Sequence, residues 1–185
     1  TGAKVVMVDI NDDDFNIALE KIEAAITPNT KVIMPVDVSG FPCDYDEILA
    51  LSKKHQNIFN PSNEKQKKLG RILVAADAAH SFGALYKGNR SGSLADITCF
   101  SFHAVKNLTT AEGGAVCFNL SDEFDHDEIY REFVTITLHG QSKDALAKTK
   151  KGAWKYDVVS PGYKCNMTDI QVSIYCKGKR QKHLW

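Results

Sequence analysis

The feature that most constrains this chain is the alternation of two hydrophobic periods along its first half. Residues 4–10 (KVVMVDI), 31–38 (KVIMPVDV) and 72–76 (ILVAA) are short runs rich in β-branched residues. Between them Leu19, Ile22, Ala25 and Ile26, and later Ile48, Leu49 and Leu51, recur at helical spacing. Strand–helix–strand order predicts an α/β sheet, mostly parallel in its first part and covered by helices. Thr27-Pro28 stops the first helix. Pro35 has no N–H to give a ladder, so it keeps the second strand from a central place or marks where its pairing ends. Asp44 and Glu47 stand at capping-box spacing and predict a helix reaching His55, while the polar, basic residues 56–70 predict a surface loop or insertion.

Two further strand-like runs follow at 97–102 (ITCFSF) and 115–119 (AVCFN), then a helical pattern over 122–138 and a lysine-rich stretch, 140–156, expected to be an exposed excursion. No internal repeat or low-complexity tract interrupts this order. At 185 residues the chain suits one domain with its own core, so a single α/β layer structure is expected.

Composition narrows the function classes. Lys plus Arg number 23 and Asp plus Glu 23, and this balance argues against a dedicated nucleic-acid binder. The apolar runs are far too short to span a bilayer, and no signal-like segment opens the chain, so no membrane association is expected. Five cysteines, an odd number without CxxC spacing, predict neither a disulfide framework nor a zinc site; the expected location is the reducing cytoplasm. Thr1 stands where an initiator Met would be, which raises the expectation of a fragment.

Asp77 directly follows the apolar run 72–76. Ligands of parallel α/β sheets bind beyond the carboxyl ends of strands, so this acid stands where chemistry is usually placed, although a turn cap suits the same position. His80, three residues on, reads equally as a packed, hydrogen-bonding histidine. Lys106 lies in SFHAVKN, after a buried strand and before TTAEGG. Among apolar and small residues an amine is desolvated and its lone pair freed for Schiff-base chemistry, whereas an ordinary loop lysine would stay in water. Asp77 and Lys106 are 29 positions apart, each just past a strand, with the hydroxyls of Ser101, Thr109 and Thr110 nearby. This set suits an aldehyde cofactor with a phosphate and a basic ring nitrogen. Competing patterns fail. There is no G-x-S-x-G elbow for Ser101, His80 and Asp77, no phosphate loop or GxGxxG among Gly83, Gly88 and Gly92, and no metal spacing among His80, His103, Cys99 and Cys117. The basic end, KGKRQKH, reads as a solvated tail.

Four segments, TGAKVVMVDINDDDFNI, PVDVSGFPCDYDEI, AADAAHSFGALYKGNRSGSLADITCFSFHAVKNLTTAEGGAV and SPGYKCNMTDIQ, together resemble the DegT/DnrJ/EryC1/StrS family of pyridoxal-phosphate-dependent nucleotide-sugar aminotransferases. The resemblance implies the large domain of the aspartate aminotransferase fold type and pyridoxal 5'-phosphate as cofactor. By position, Lys106 resembles the lysine that bonds the cofactor aldehyde, and Asp77 the acid that pairs with the pyridine nitrogen. His80 stands where the family has Gln or His beside the ring, and Ser101 matches the serine at the phosphate. Asn166 resembles the asparagine reaching the phosphate of a neighbouring subunit, which implies a homodimer with shared active sites. Some members replace the lysine by histidine and act as dehydratases; retention of Lys106 favours transamination. The implied reaction moves an amino group from glutamate to the keto group of a nucleotide-linked sugar. The wording of SFHAVKNLTTAEGG and SPGYKCNMTDI is most similar to the branch acting on UDP-linked 4-keto sugars for surface glycans.

The resemblance also has edges. Family members are longer, and the phosphate turn and ring-stacking aromatic they carry near the start are not found before Thr1. It fades after Gln171, so residues 1–171 read as the central part of the cofactor-binding large domain, incomplete at both ends. Residues 172–185 read as a divergent tail, a truncated or frameshifted ending that does not continue an apolar helix. Two functional readings follow: a sugar aminotransferase, or a non-catalytic remnant or interaction module retaining the same fold.

Overall fold

The run after Arg71 becomes the middle of the sheet because it can bury alternate side chains on one face while its backbone pairs on both sides. In this computed structural model, which describes residues 2–142 and 155–181, strand β2 is Leu73–Asp77, with Val74 and Ala76 buried and Leu73, Ala75 and Asp77 half-buried on the other face. Strand β1 (Val32–Ile33) pairs with it in parallel, Val32 opposite Leu73 and Ile33 opposite Val74. Strand β5 (Ile97–Ser101) lies parallel on its far side with Asp77 opposite Cys99, and β6 (Gly114–Phe118) runs antiparallel to β5. The order is therefore β1-β2-β5-β6, the mostly parallel α/β sheet that the periodicity predicts. Pro35 sits just past the short β1 ladder on the edge strand, and pairing resumes as a single bridge between Val36 and Asp77.

Helix α1 (Leu19–Ala25) sends Ile22 into the core, and α2 (Tyr45–Lys54) sends Tyr45, Ile48 and Leu51. These meet Ile33, Ile72, Val74, Ala76, Leu94 and Ala95. Burying each large aliphatic side chain is worth about 1.5–3 kcal/mol. Two polar ties fix this packing. Ser52 Oγ donates to the Ile72 carbonyl at 2.5 Å. Arg71 makes a two-pronged pair with Asp96 at 2.6 and 2.8 Å, while Asp96 also accepts the Val74 N–H at 2.9 Å, which aligns the start of β2 with that of β5.

Several expectations need correction. Residues 4–10 form no strand: only Ile10 bridges, to Ile17, and Val5 and Met7 stand 77% and 86% exposed. β-branched composition makes a strand only where a neighbour supplies the ladder. The side chain of Asp44 does not cap α2. A hairpin of β3 (Leu85–Tyr86) and β4 (Asn89–Arg90), turned by Lys87 and Gly88 at φ 48° and 82°, brings the Tyr86 hydroxyl to that carboxylate instead. The expected loop at 56–70 contains α3 (Glu64–Leu69). Asn63 accepts the Gln66 N–H at 2.9 Å, Gln66 accepts the Ser62 N–H at 2.7 Å, and Gly70 closes the helix at φ 69°.

The chain divides into two compact units, one running to Asn119 and resuming at Ile174, the other being Leu120–Ser173. In the second unit, α4 is His126–Thr137, starting later than expected because Asp125 takes the Glu128 N–H at 2.9 Å as its cap. Bridges join Leu138 to Lys164 and Gln141 to Val158. Most of the expected excursion at 140–156, and the last residues of the basic end, lie outside the described residues. Helix α5 is Asp169–Gln181 and includes position 172. Among the described residues, no helix is long and apolar enough to cross a membrane.

Candidate active site

Asp77 ends β2 with its backbone held from both sides. Its N–H donates to the Pro35 carbonyl at 2.9 Å, its carbonyl accepts the Asp37 N–H at 3.0 Å, and the next N–H, of Ala78, reaches the Cys99 carbonyl at 2.9 Å. The chain then leaves the sheet in a turn closed by Ser81 N–H to the Ala78 carbonyl at 3.1 Å. Within it, Asp77 Oδ1 accepts the Ala79 N–H at 3.1 Å, and Oδ2 accepts nothing from the described residues. The result is a half-buried carboxylate with one oxygen open, at the carboxyl edge of a parallel strand pair.

The loop from Phe102 to Gly113 joins the antiparallel strands β5 and β6 and carries Lys106. Its base is closed by Phe102 N–H to the Gly113 carbonyl at 2.8 Å and Thr110 N–H to the Phe102 carbonyl at 2.9 Å. Phe102, Leu108 and Thr110 are buried beneath it, and Thr110 Oγ1 donates to the Glu112 carbonyl at 2.8 Å. Lys106 is half-buried, its N–H on the His103 carbonyl at 3.0 Å; its Nζ donates to no group and pairs with no carboxylate among the described residues. The neighbouring Asn107 donates Nδ2 to the Phe82 carbonyl at 2.7 Å, tying this loop to the turn after Asp77. The Phe82 ring stands edge-on to Phe100 and Phe102, with centroids 5.2 and 5.4 Å away.

Ser101 lies two residues beyond Cys99, so it shares the sheet face of Asp77; its Oγ accepts the His103 N–H at 3.3 Å. His80 is exposed in the turn after Asp77. Its carbonyl lies against Gly40, which adopts φ 86° and where a Cβ would stand 2.8 Å from that oxygen. Asp77, His80, Ser101 and Lys106 are thus all placed on the carboxyl ends of β2 and β5 or the segments leaving them. Asn166 belongs to the second unit, where it is exposed and accepts Lys164 Nζ at 2.7 Å. Burial, and then the charge of Asp77, push the Cys99 thiol up from its ordinary value.

These residues fit a pyridine aldehyde cofactor on chemical grounds. The open carboxylate oxygen of Asp77 suits a protonated ring nitrogen. An amine without an ion pair suits bonding to an aldehyde, and a strand-end hydroxyl suits a phosphate. Two residues beside the site were not singled out from sequence, Asp37 and Asn107. Asp37 carried the same signal as Asp77, an acid at the end of an apolar strand, and Asn107 adjoined the lysine.

This sheet with its flanking helices is the fold of pyridoxal-phosphate-dependent sugar aminotransferases, in partial extent. The chain belongs to the DegT/DnrJ/EryC1/StrS aminotransferase family, which matches residues 1–178 and uses pyridoxal phosphate. It is similar to a putative sugar aminotransferase, Spr1654 of Streptococcus pneumoniae, solved in a PMP-form (TM-score 0.91, 49% identity, 97% of this chain and 45% of that one). The PLP-form of the same protein superposes with a TM-score of 0.89 at 46% identity, over 97% of this chain and 44% of that one. A spore coat polysaccharide biosynthesis protein, SpsC of Bacillus subtilis, is 39% identical over 175 residues, 94% of this chain and 40% of its own. The chain spans about two fifths of the length of the curated relatives it matches (39% and 40%).

Proposed function

We propose that this chain holds the cofactor-binding centre of an aminotransferase that moves an amino group from glutamate to the keto group of a nucleotide-linked sugar, a UDP-linked 4-keto sugar for surface polysaccharide. The observation that carries the reading is the pairing of an open Asp77 carboxylate oxygen with an unpaired Lys106 amine, each just past the carboxyl end of adjacent parallel strands. The sugar assignment draws support from SpsC, whose name places it in polysaccharide biosynthesis, and from Spr1654, described as a putative sugar aminotransferase.

Each residue then has a defined task. Asp77 holds the proton on the ring nitrogen of pyridoxal phosphate through its free oxygen, because a charge-assisted hydrogen bond favours the protonated ring. When bound, the cofactor supplies a positively charged ring that takes up the electron pair left at the amino-acid α-carbon. Lys106 Nζ is the amine that would hold the cofactor's aldehyde group, and as a free amine it would take the proton from that α-carbon. Ser101 donates its hydroxyl to the phosphate, and His80 flanks the ring. Asn166 serves the phosphate of a second subunit's site, so the working form is a homodimer, with the cytoplasm as its location.

The test is stoichiometric. The chain loaded with pyridoxal phosphate and given glutamate should release one equivalent of 2-oxoglutarate per Lys106 site, and a UDP-4-keto sugar should then restore the starting absorbance. Release of no 2-oxoglutarate from a chain that binds the cofactor would favour the second reading, a non-catalytic module retaining the fold.

A further inference from the structure

The carboxylate of Asp37 is 1% exposed, and among the described residues it pairs with no cation. A buried carboxylate is costly unless donors replace its water. Three do: the Cys43 N–H at 3.1 Å and the Tyr45 hydroxyl at 2.6 Å on Oδ1, and the Ser81 hydroxyl at 2.5 Å on Oδ2. Because Ser81 gives its proton to Asp37, its oxygen is left to accept from Ser91 at 2.9 Å. Ser81 is itself 1% exposed and follows His80 directly.

Asp37 therefore grips the Asp77 segment twice. Its N–H holds the Asp77 carbonyl, and its carboxylate holds Ser81, four residues further along the same turn. Gly40, in the turn that Asp37 begins, lies directly on the His80 carbonyl. The opposite side of the turn is held by Asn107 through the Phe82 carbonyl. Asn107 is exposed, whereas the Asp37–Ser81 contact is closed to water, where a charged hydrogen bond is strongest.

We propose that Asp37 is a positioning residue that, through Ser81, fixes the turn presenting Asp77 and His80 to the cofactor. The proposal rests on the reading of Asp77 and Lys106 as cofactor-holding residues, and it differs from a general stabilising role in its route. The Tyr45 hydroxyl bonds the same carboxylate from α2 and makes no hydrogen bond to the turn, so only changes on the Asp37–Ser81 path should loosen it.

The experiment compares Asp37→Asn, Ser81→Ala and Tyr45→Phe with the unaltered chain in two readouts. One is amide hydrogen exchange at Ser81 and Ala84, whose N–H groups close the turn. The other is the affinity for pyridoxal phosphate by visible absorbance. Asp37→Asn and Ser81→Ala should each speed exchange in the turn by about tenfold, leave β2 and β5 protected and weaken cofactor binding by about tenfold, the effect of losing one charged hydrogen bond. Tyr45→Phe should move neither readout beyond twofold. Should Asp37→Asn fail to fold, Ser81→Ala carries the comparison alone. Unchanged exchange in Ser81→Ala, equal loosening by Tyr45→Phe, or a loosened turn with unchanged affinity would each overturn the proposal. An unaltered chain that takes up no cofactor counts against the aminotransferase reading, and the exchange comparison then decides the role of Asp37.

Discussion

Asn107 Nδ2 donates to the Phe82 carbonyl at 2.7 Å and so couples the loop that carries Lys106 to the turn that follows Asp77. These two residues are 25 apart in sequence, and the bond joins segments leaving two different parallel strands. A reactive amine and a ring-facing acid need a fixed separation, because misplacement of a reacting group is costly in rate. The sheet sets that separation through the Asp77–Cys99 register, and the Asn107 bond carries it into the loop.

Asp77→Asn should weaken pyridoxal phosphate binding by about 10- to 150-fold, since a hydrogen bond to a charged group contributes about 1.5–3 kcal/mol. Asparagine keeps the shape and the Ala79 contact, so thermal stability should hold. Absorbance titration of the two chains side by side checks this, and equal affinities would remove Asp77 from the site.

Asp96→Ala should destabilise the first unit by about 3–5 kcal/mol, the usual cost of leaving one partner of a buried pair uncompensated. Asp96 is 4% exposed and takes both prongs of Arg71 as well as the Val74 N–H, so the change strips three bonds at once. Urea denaturation measures it; a loss below 1 kcal/mol would mean that the pair does not organise the β2–β5 junction.

Stability should fall in alkali. Burial first, then the charge of Asp37, push the Cys43 thiol up to about 12, and burial with the Asp37 hydrogen bond also raises Tyr45. Both groups stay protonated in the folded chain at a pH where the unfolded chain has released their protons. The unfolded state therefore binds fewer protons, and the stabilisation present below pH 9 is lost as pH climbs from the ordinary thiol value of 9.0 towards about 12. Urea midpoints at rising pH should decline with a slope of at most about 1.4 kcal/mol per pH unit per group. Cys43→Ala should flatten that decline, and an identical slope in both chains would contradict the assignment.

What the sequence made legible follows a physical division. The runs at 72–76 and 97–102 became β2 and β5 because burial on a central strand agrees with local propensity, and the strand ends then placed Asp77 and Ser101 on one edge. The run at 4–10 had the same propensity without a partner strand, and Val5, Val6, Met7 and Ile10 stand in solvent while only Val8 packs against the core. Asp44 had the right spacing for a cap, but a hydroxyl from a hairpin 42 residues away competed for it, which no local pattern reveals. Asn63 with Gln66 was a readable cap signal, hidden in a stretch whose polarity suggested a loop. Lys106 and its neighbours were legible as a motif. Asp37 carried the same strand-end signal as Asp77, but its role was not legible, because it lies in Ser81 and Tyr45, 44 and 8 positions distant, meeting it out of water.

The account stands on Lys106 forming the covalent bond to the cofactor. The most direct measurement is saturating pyridoxal phosphate, borohydride reduction and peptide mapping, with Lys106→Ala beside it. The account predicts a yellow, saturable complex whose reduced label sits on the Lys106 peptide alone and vanishes in the variant. Label scattered over surface lysines, or equal labelling of Lys106→Ala, would contradict it.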